Sequence, residues 1–147
     1  MKIIKINFLT YYFLLILLLC GYLKIGLIIL FIVLFHELGH VLFAKLFNYQ
    51  IINITIYPFG GITKINKDIN TPVAKELLIA MGGMVFQLLL LIIVYFLPIT
   101  SITKDIFYKY NLSIMFFNML PIIPLDGSIV LNALLNKFFS FKTAYHI

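Results

Sequence analysis

Residues 36 to 40 read His-Glu-Leu-Gly-His. His36 and His40 are four apart, so a helix carries both imidazoles on one face, able to point at one metal ion. Glu37 follows the first imidazole and can reach water held by that ion. Each residue type has a task. Neutral imidazoles hold Zn²⁺ without cancelling all its charge, and the ion lowers the pKa of bound water to about 7. The carboxylate takes the proton as water attacks a carbonyl. His-Glu-x-x-His on a helix is the arrangement for this hydrolytic chemistry, and chance yields it in a chain of this length on the order of once in several hundred. The bland alternative is three polar side chains satisfying one another between helices, which buries three costly groups for no evident gain.

Such a centre needs a third protein ligand, and Asp126 is the outstanding candidate. It stands in Asn118-Met119-Leu120-Pro121-Ile122-Ile123-Pro124-Leu125-Asp126-Gly127. Two prolines end the preceding apolar run and free its backbone to turn the carboxylate towards a neighbouring helix. The same Pro-x-Asp-Gly reads equally well as a helix N-cap. Spacing alone does not choose between ligand and cap.

The elements that must position these groups are membrane spans. The 147 residues are 63% hydrophobic, 16% aromatic and 11% charged, with a mean hydropathy of +1.12. Average soluble domains are roughly 45–50% apolar and about 25% charged. That excludes an ordinary cytosolic enzyme, a disordered chain and a free nucleic-acid binder. Four apolar segments, about 6–23, 25–47, 73–97 and 106–123, approach the roughly 20 residues that cross a bilayer. Residues 48–71 differ in texture. Alternation through Ile51 to Tyr57, a turn at Pro58-Phe59-Gly60-Gly61 and a second alternating run predict a short β-hairpin or re-entrant loop. Residues 125–141 predict an interfacial amphipathic helix. The expected fold is an all-α integral membrane protein. It has about four transmembrane helices, the hairpin between the second and third, and the interfacial helix at the end, all in one domain over 1–147.

Lysines set the orientation. With the N-terminus in the cytoplasm, Lys2, Lys5, Lys45, Lys64, Lys67, Lys75, Lys137 and Lys142 fall inside, and Lys24, Lys104 and Lys109 outside. Both termini are then cytoplasmic. The net charge of +6 includes no Arg, so it speaks for anionic headgroups and not for nucleic acid. The single cysteine, Cys20, excludes an internal disulfide. No small-residue cleavage site follows the first apolar run, so it reads as a retained span.

His36-Glu37-Leu38-Gly39-His40 in a span, followed about 80 residues later by Asn-x-x-Pro-x-x-Pro-Leu-Asp-Gly, resembles the site-2 protease family of intramembrane zinc metalloproteases. The similarity is greatest to its stage IV sporulation protein FB-like subgroup. It covers roughly residues 25 to 130, with no CBS or PDZ domain. The resemblance implies that His36, His40 and Asp126 bind zinc and that Glu37 is the general base. It also implies that Asn118 holds the substrate backbone and that Pro58, Phe59, Gly60 and Gly61 form the loop guiding an extended substrate. Two departures stand out. Gly127-Ser128 replaces a frequent Gly-Gly, and Gly83-Met84-Val85-Phe86-Gln87 stands where the family has Gly-Pro-x-x-Asn.

The expected activity is hydrolysis of peptide bonds in or near transmembrane segments of membrane-tethered proteins, such as regulatory pro-proteins. The expected partners are that substrate, the lipid bilayer and a regulatory membrane protein, with no nucleic acid. The first alternative is a catalytically inactive or truncated homologue acting as a binding or regulatory subunit. A metal transporter and a metal-free structural subunit are the others. Three weaker features remain. Gly82-Gly83 reads as helix packing. Asn53, Thr55 and Tyr57 read as a strand edge for substrate or as a polar interfacial loop. His146 reads as a tail residue.

Overall fold

The computed structural model describes residues 4–58, 60–66 and 72–138. The chain runs β1 (Ile4–Ile6), α1 (Phe8–Leu19), α2 (Leu23–Leu46), β2 (Gln50–Tyr57), β3 (Gly60–Asn66), α3 (Val73–Phe96), α4 (Ser101–Asn118) and α5 (Asp126–Phe138). Phe59, Lys2, Lys67, Lys142 and His146, and the side chain of Lys137, lie outside the described residues.

Helix α2 is the central element. Its buried positions include Gly26, Ile29, Val33, His36, His40 and Ala44, a stripe at steps of three and four that carries the polar motif on the same line as the apolar core. Ile28, Ile29, Ile32 and Val33 pack with Leu90 and Val94 of α3, Ile114 of α4, and Ile54 and Ile56 of β2. Asn48, with φ of 61°, ends α2 in the left-handed conformation that asparagine tolerates. Helices α2 and α3 have 24 residues each, about 36 Å at 1.5 Å per residue. They are the two helices, among the described residues, long and apolar enough to cross a membrane.

The hairpin forms as expected, since β-branched Ile and Thr alternate around a Pro/Gly turn. Tyr57 faces Gly60, and the ladder runs back to Gln50 opposite Asn66, with a bulge at Ile51 to Asn53. A third strand was not expected. Ile4–Ile6 pairs parallel with Ile54–Ile56, giving sheet order β1-β2-β3. The backbone N–H of Asn7 and the buried hydroxyl of Thr10 both donate to the carbonyl of Ile56, at 2.8 and 3.0 Å. That clasp, with the Asn7 side chain capping α1 through Leu9 N–H, fixes where the strand becomes a helix.

The stretch expected to be a first span, 6–23, is therefore a strand residue, a 12-residue helix and a turn at Gly21, whose φ is +78°. At about 18 Å, α1 is shorter than the hydrocarbon core of roughly 30 Å. The fourth expected span shifts as well. Helix α4 starts at Ser101, where Thr100 caps it through Thr103 N–H, and stops at Asn118 ahead of Pro121. It holds Lys104, Asp105 and Lys109 and is less apolar than α2 or α3. The amphipathic C-terminal helix is present as α5 and opens on Asp126.

Candidate active site

Three atoms able to bind a metal ion converge from two elements. His36 Nε2 and His40 Nε2 on α2 are 3.0 Å apart, and Asp126 Oδ2 on α5 is 3.2 Å from each. The chain reverses between α4 and α5, and Gly127 lies so close to the carbonyls of Met119 and Leu120 that a Cβ there would collide with them. That close turn is what brings the first residue of α5 back against α2. Asp126 thus faces the imidazoles, and the alternative of a helix cap turned away from them is not the geometry found.

The outer nitrogens settle what the inner ones can do. His40 Nδ1 is 2.9 Å from the carbonyl of Ile79. A carbonyl only accepts, so Nδ1–H donates and Nε2 is left with a lone pair. His36 Nδ1 is 3.1 Å from Oε1 of the buried Gln87, with the same consequence. Two lone pairs and a carboxylate oxygen without a hydrogen-bond partner then point at one another. A cation between them resolves that repulsion. Ligand atoms about 2.0–2.1 Å from a tetrahedral Zn²⁺ stand about 3.4 Å apart, close to the spacing found here. The donor set, two imidazoles and one carboxylate with a side left for water, fits zinc. Asp126 Oδ2, 3.2 Å from each imidazole nitrogen, enters that set as a carboxylate oxygen.

Glu37 is buried beside the pair, with a carboxylate oxygen no more than 4.8 Å from the imidazole nitrogens. Its distance could make it a ligand itself. Asp126 Oδ2 comes to 3.2 Å from both nitrogens, and Thr63 Oγ1 on β3 donates to the Glu37 Oε2 at 2.5 Å. Gly61 lies directly over it, and a Cβ at Gly61 would overlap the carboxylate. The hairpin therefore roofs the motif at contact distance.

These residues open into a cavity of about 400 Å³, also lined by Pro58, Gly60, Ile62, Glu76, Phe117 and Asn118. Asn118 is the last residue of α4 and is buried at the cavity wall. Of the residues expected at the site, His36, Glu37, His40, Asp126, Asn118, Pro58, Gly60 and Gly61 are gathered here. The strand edge is not where the sequence placed it. β2, with Asn53, Thr55 and Tyr57, is the middle strand, so among the described residues the open edge beside the cavity belongs to β3. Sequence reasoning missed Thr63, and it named Gly83 and Gln87 without foreseeing that both meet the His36 ring. Gln87 and Asn111 did carry a signal, as polar residues in apolar helices.

The architecture is shared with a solved structure. The site-2 protease from Methanocaldococcus jannaschii superposes with a TM-score of 0.74 at 25% identity, covering 96% of this chain and 70% of that one. The profile of peptidase family M50 matches residues 24–109, which hold the His-Glu-x-x-His segment. The chain belongs to peptidase family M50. It is 37% identical over 134 residues to stage IV sporulation protein FB of Bacillus subtilis, covering 88% of this chain and 46% of that protein. It is 33% identical over 125 residues to a zinc metalloprotease of Methanocaldococcus jannaschii, covering 77% of this chain and 36% of the relative. The chain spans less than half the length of these two curated relatives.

Proposed function

We propose that this chain is an intramembrane zinc metalloprotease that cleaves membrane-tethered proteins in or near their transmembrane segments. The observation that carries the reading is the meeting of His36 Nε2, His40 Nε2 and Asp126 Oδ2 within 3.2 Å, with Glu37 beside them at the mouth of a cavity. His36, His40 and Asp126 would hold the metal. Zinc bound there supplies Lewis acidity, polarising a peptide carbonyl and acidifying water.

The chain's own groups do the rest. A substrate helix keeps its amides in internal hydrogen bonds and must unwind before attack. The free edge of β3, from Gly60 to Ile65 along the cavity, offers backbone donors and acceptors to the unwound stretch. Asn118, at the wall of the same cavity, offers an amide to the same backbone. Glu37 accepts the proton of the attacking water and returns it to the leaving amine. Thr63, which holds the Glu37 carboxylate, aims it towards the pair of imidazoles.

In this reading the chain is one membrane-embedded domain. Helices α2 and α3 cross the bilayer, and α1 and α4 complete four passes with the help of flanking residues. Both termini are cytoplasmic, and water enters from that side, nearer the C-terminal end of α2 where the motif lies. The substrate class is a membrane-anchored regulatory protein, in keeping with similarity to a sporulation protein.

The test is co-expression with candidate membrane-tethered substrates, comparing wild type with Glu37→Gln. Cleavage by the wild type alone, with zinc retained by both proteins, is expected. Equal cleavage by both would assign the activity elsewhere. Purified wild type without stoichiometric zinc would end the metalloprotease reading.

A further inference from the structure

Gln87 sits in the middle of α3, between Phe86 and Leu88, and is 0% exposed. Asn111 of α4 is 1% exposed. Burying an amide costs roughly 1–3 kcal/mol unless it is hydrogen-bonded, and leucine would fill either place without that cost. The two residues bond to each other and to one metal-facing imidazole. Gln87 Oε1 is 3.1 Å from His36 Nδ1. Gln87 Nε2 donates to the main-chain carbonyl of Asn111 at 3.4 Å. Asn111 Nδ2 donates to the main-chain carbonyl of Gln87 at 2.9 Å.

A glutamine amide is two-faced. Presented through Oε1 it accepts from Nδ1–H and leaves the His36 Nε2 lone pair free. Presented through its NH₂ it donates to Nδ1, moves the imidazole proton to Nε2 and blocks the face that looks at His40 and Asp126. The Asn111 carbonyl can only accept, so it holds the NH₂ end and turns Oε1 to the histidine. The Asn111 side chain keeps that carbonyl in place by tying α4 to α3. We propose that Gln87 is a positioning residue of the metal centre, setting the His36 tautomer that binds the ion, and that Asn111 fixes the orientation of its amide. This rests on the zinc reading above. It differs from helix-to-helix adhesion, which would stabilise the fold and leave metal affinity untouched.

The experiment uses the full chain purified in detergent, with zinc affinity from chelator competition and the ligand-field spectrum of the Co²⁺-loaded protein. Gln87→Leu is expected to weaken zinc binding about 10–100-fold, the usual effect of losing such a partner, and to alter the Co²⁺ spectrum. Gln87→Glu is expected to keep affinity within a few-fold of wild type, because an ionised carboxylate can only accept from Nδ1–H. Asn111→Leu should weaken binding in the same direction, and adding it to Gln87→Leu should cost little more. Wild-type affinity and spectrum in Gln87→Leu overturn the inference and leave the zinc reading standing. So does a Gln87→Glu as impaired as Gln87→Leu. Should Gln87→Leu fail to fold, Gln87→Glu and Asn111→Leu decide it: unchanged affinity in Asn111→Leu overturns the role given to that residue. A wild type that binds no zinc overturns both readings.

Discussion

Glu37 is buried and Asp126 half-buried, both near the same two imidazoles, and the proposed function gives them different work. Asp126 Oδ2 lies 3.2 Å from both nitrogens and has no hydrogen-bond partner among the described residues. Glu37 is bonded to Thr63 and roofed by Gly61. Two substitutions separate the roles. Asp126→Ala should lower zinc affinity by more than about 100-fold, beyond the loss that an outer partner causes, read by chelator competition. Glu37→Gln should leave zinc content unchanged and cut the cleavage rate by about 10²–10⁴-fold, the span typical of a lost general base. Zinc loss in Glu37→Gln would make that residue a ligand. The pentapeptide that predicts the first two ligands is legible because a helix repeats every 3.6 residues, so spacing alone puts His36 and His40 together. Asp126 was legible only as a candidate, since a loop reversal some 80 residues downstream decides where its side chain arrives.

At the scale of elements, the site depends on how closely α2, α3 and the hairpin approach. A Cβ at Gly39 would strike the carbonyl of Gly82, and one at Gly83 the ring of His36. Gly39→Ala should therefore push α2 and α3 apart and destabilise the fold by about 1–3 kcal/mol, as overpacking commonly does, seen as a lower melting temperature in detergent. Gly61→Ala acts differently. Its methyl group would displace the Glu37 carboxylate, so activity should fall up to about 100-fold, the penalty for an ångström of misplacement, while zinc affinity holds. The Gly82-Gly83 pair was readable as a packing motif, and the structure adds that one glycine of the two faces a helix backbone and the other an imidazole. The hairpin was readable from alternation and its Pro/Gly turn. Its third strand was not, because Ile4–Ile6 carries no signal beyond three residues of apolar and charged alternation, and parallel pairing with β2 spans some fifty residues of chain.

For the whole molecule, metal and fold are linked. Ligands from α2 and α5 share one ion in the proposed state, so the ion joins the first and last thirds of the chain. Zinc held at about 1,000 times its dissociation constant adds about 4 kcal/mol of stability. Stripping it with a chelator should lower the melting temperature, and zinc re-addition should restore it; an unchanged melt would mean that the ion does not bridge the elements. The topology is tested separately. Reporter fusions at both ends should report cytoplasmic placement, and a C-terminal reporter outside would require an odd number of crossings.

Composition by itself determined that this chain lives among apolar surroundings, because 11% charge cannot cover a folded surface in water. Local periodicity determined the histidine pair and the hairpin, because both are fixed by neighbours a few residues apart. The tertiary structure alone decided the rest: that Asp126 meets the two imidazoles, that Thr63 and Gly61 cover Glu37, and that Gln87 faces His36. Those contacts join residues 24 to 90 positions apart, and separations of that size leave no repeat in a sequence. They exist only once helices have packed and a loop has turned back.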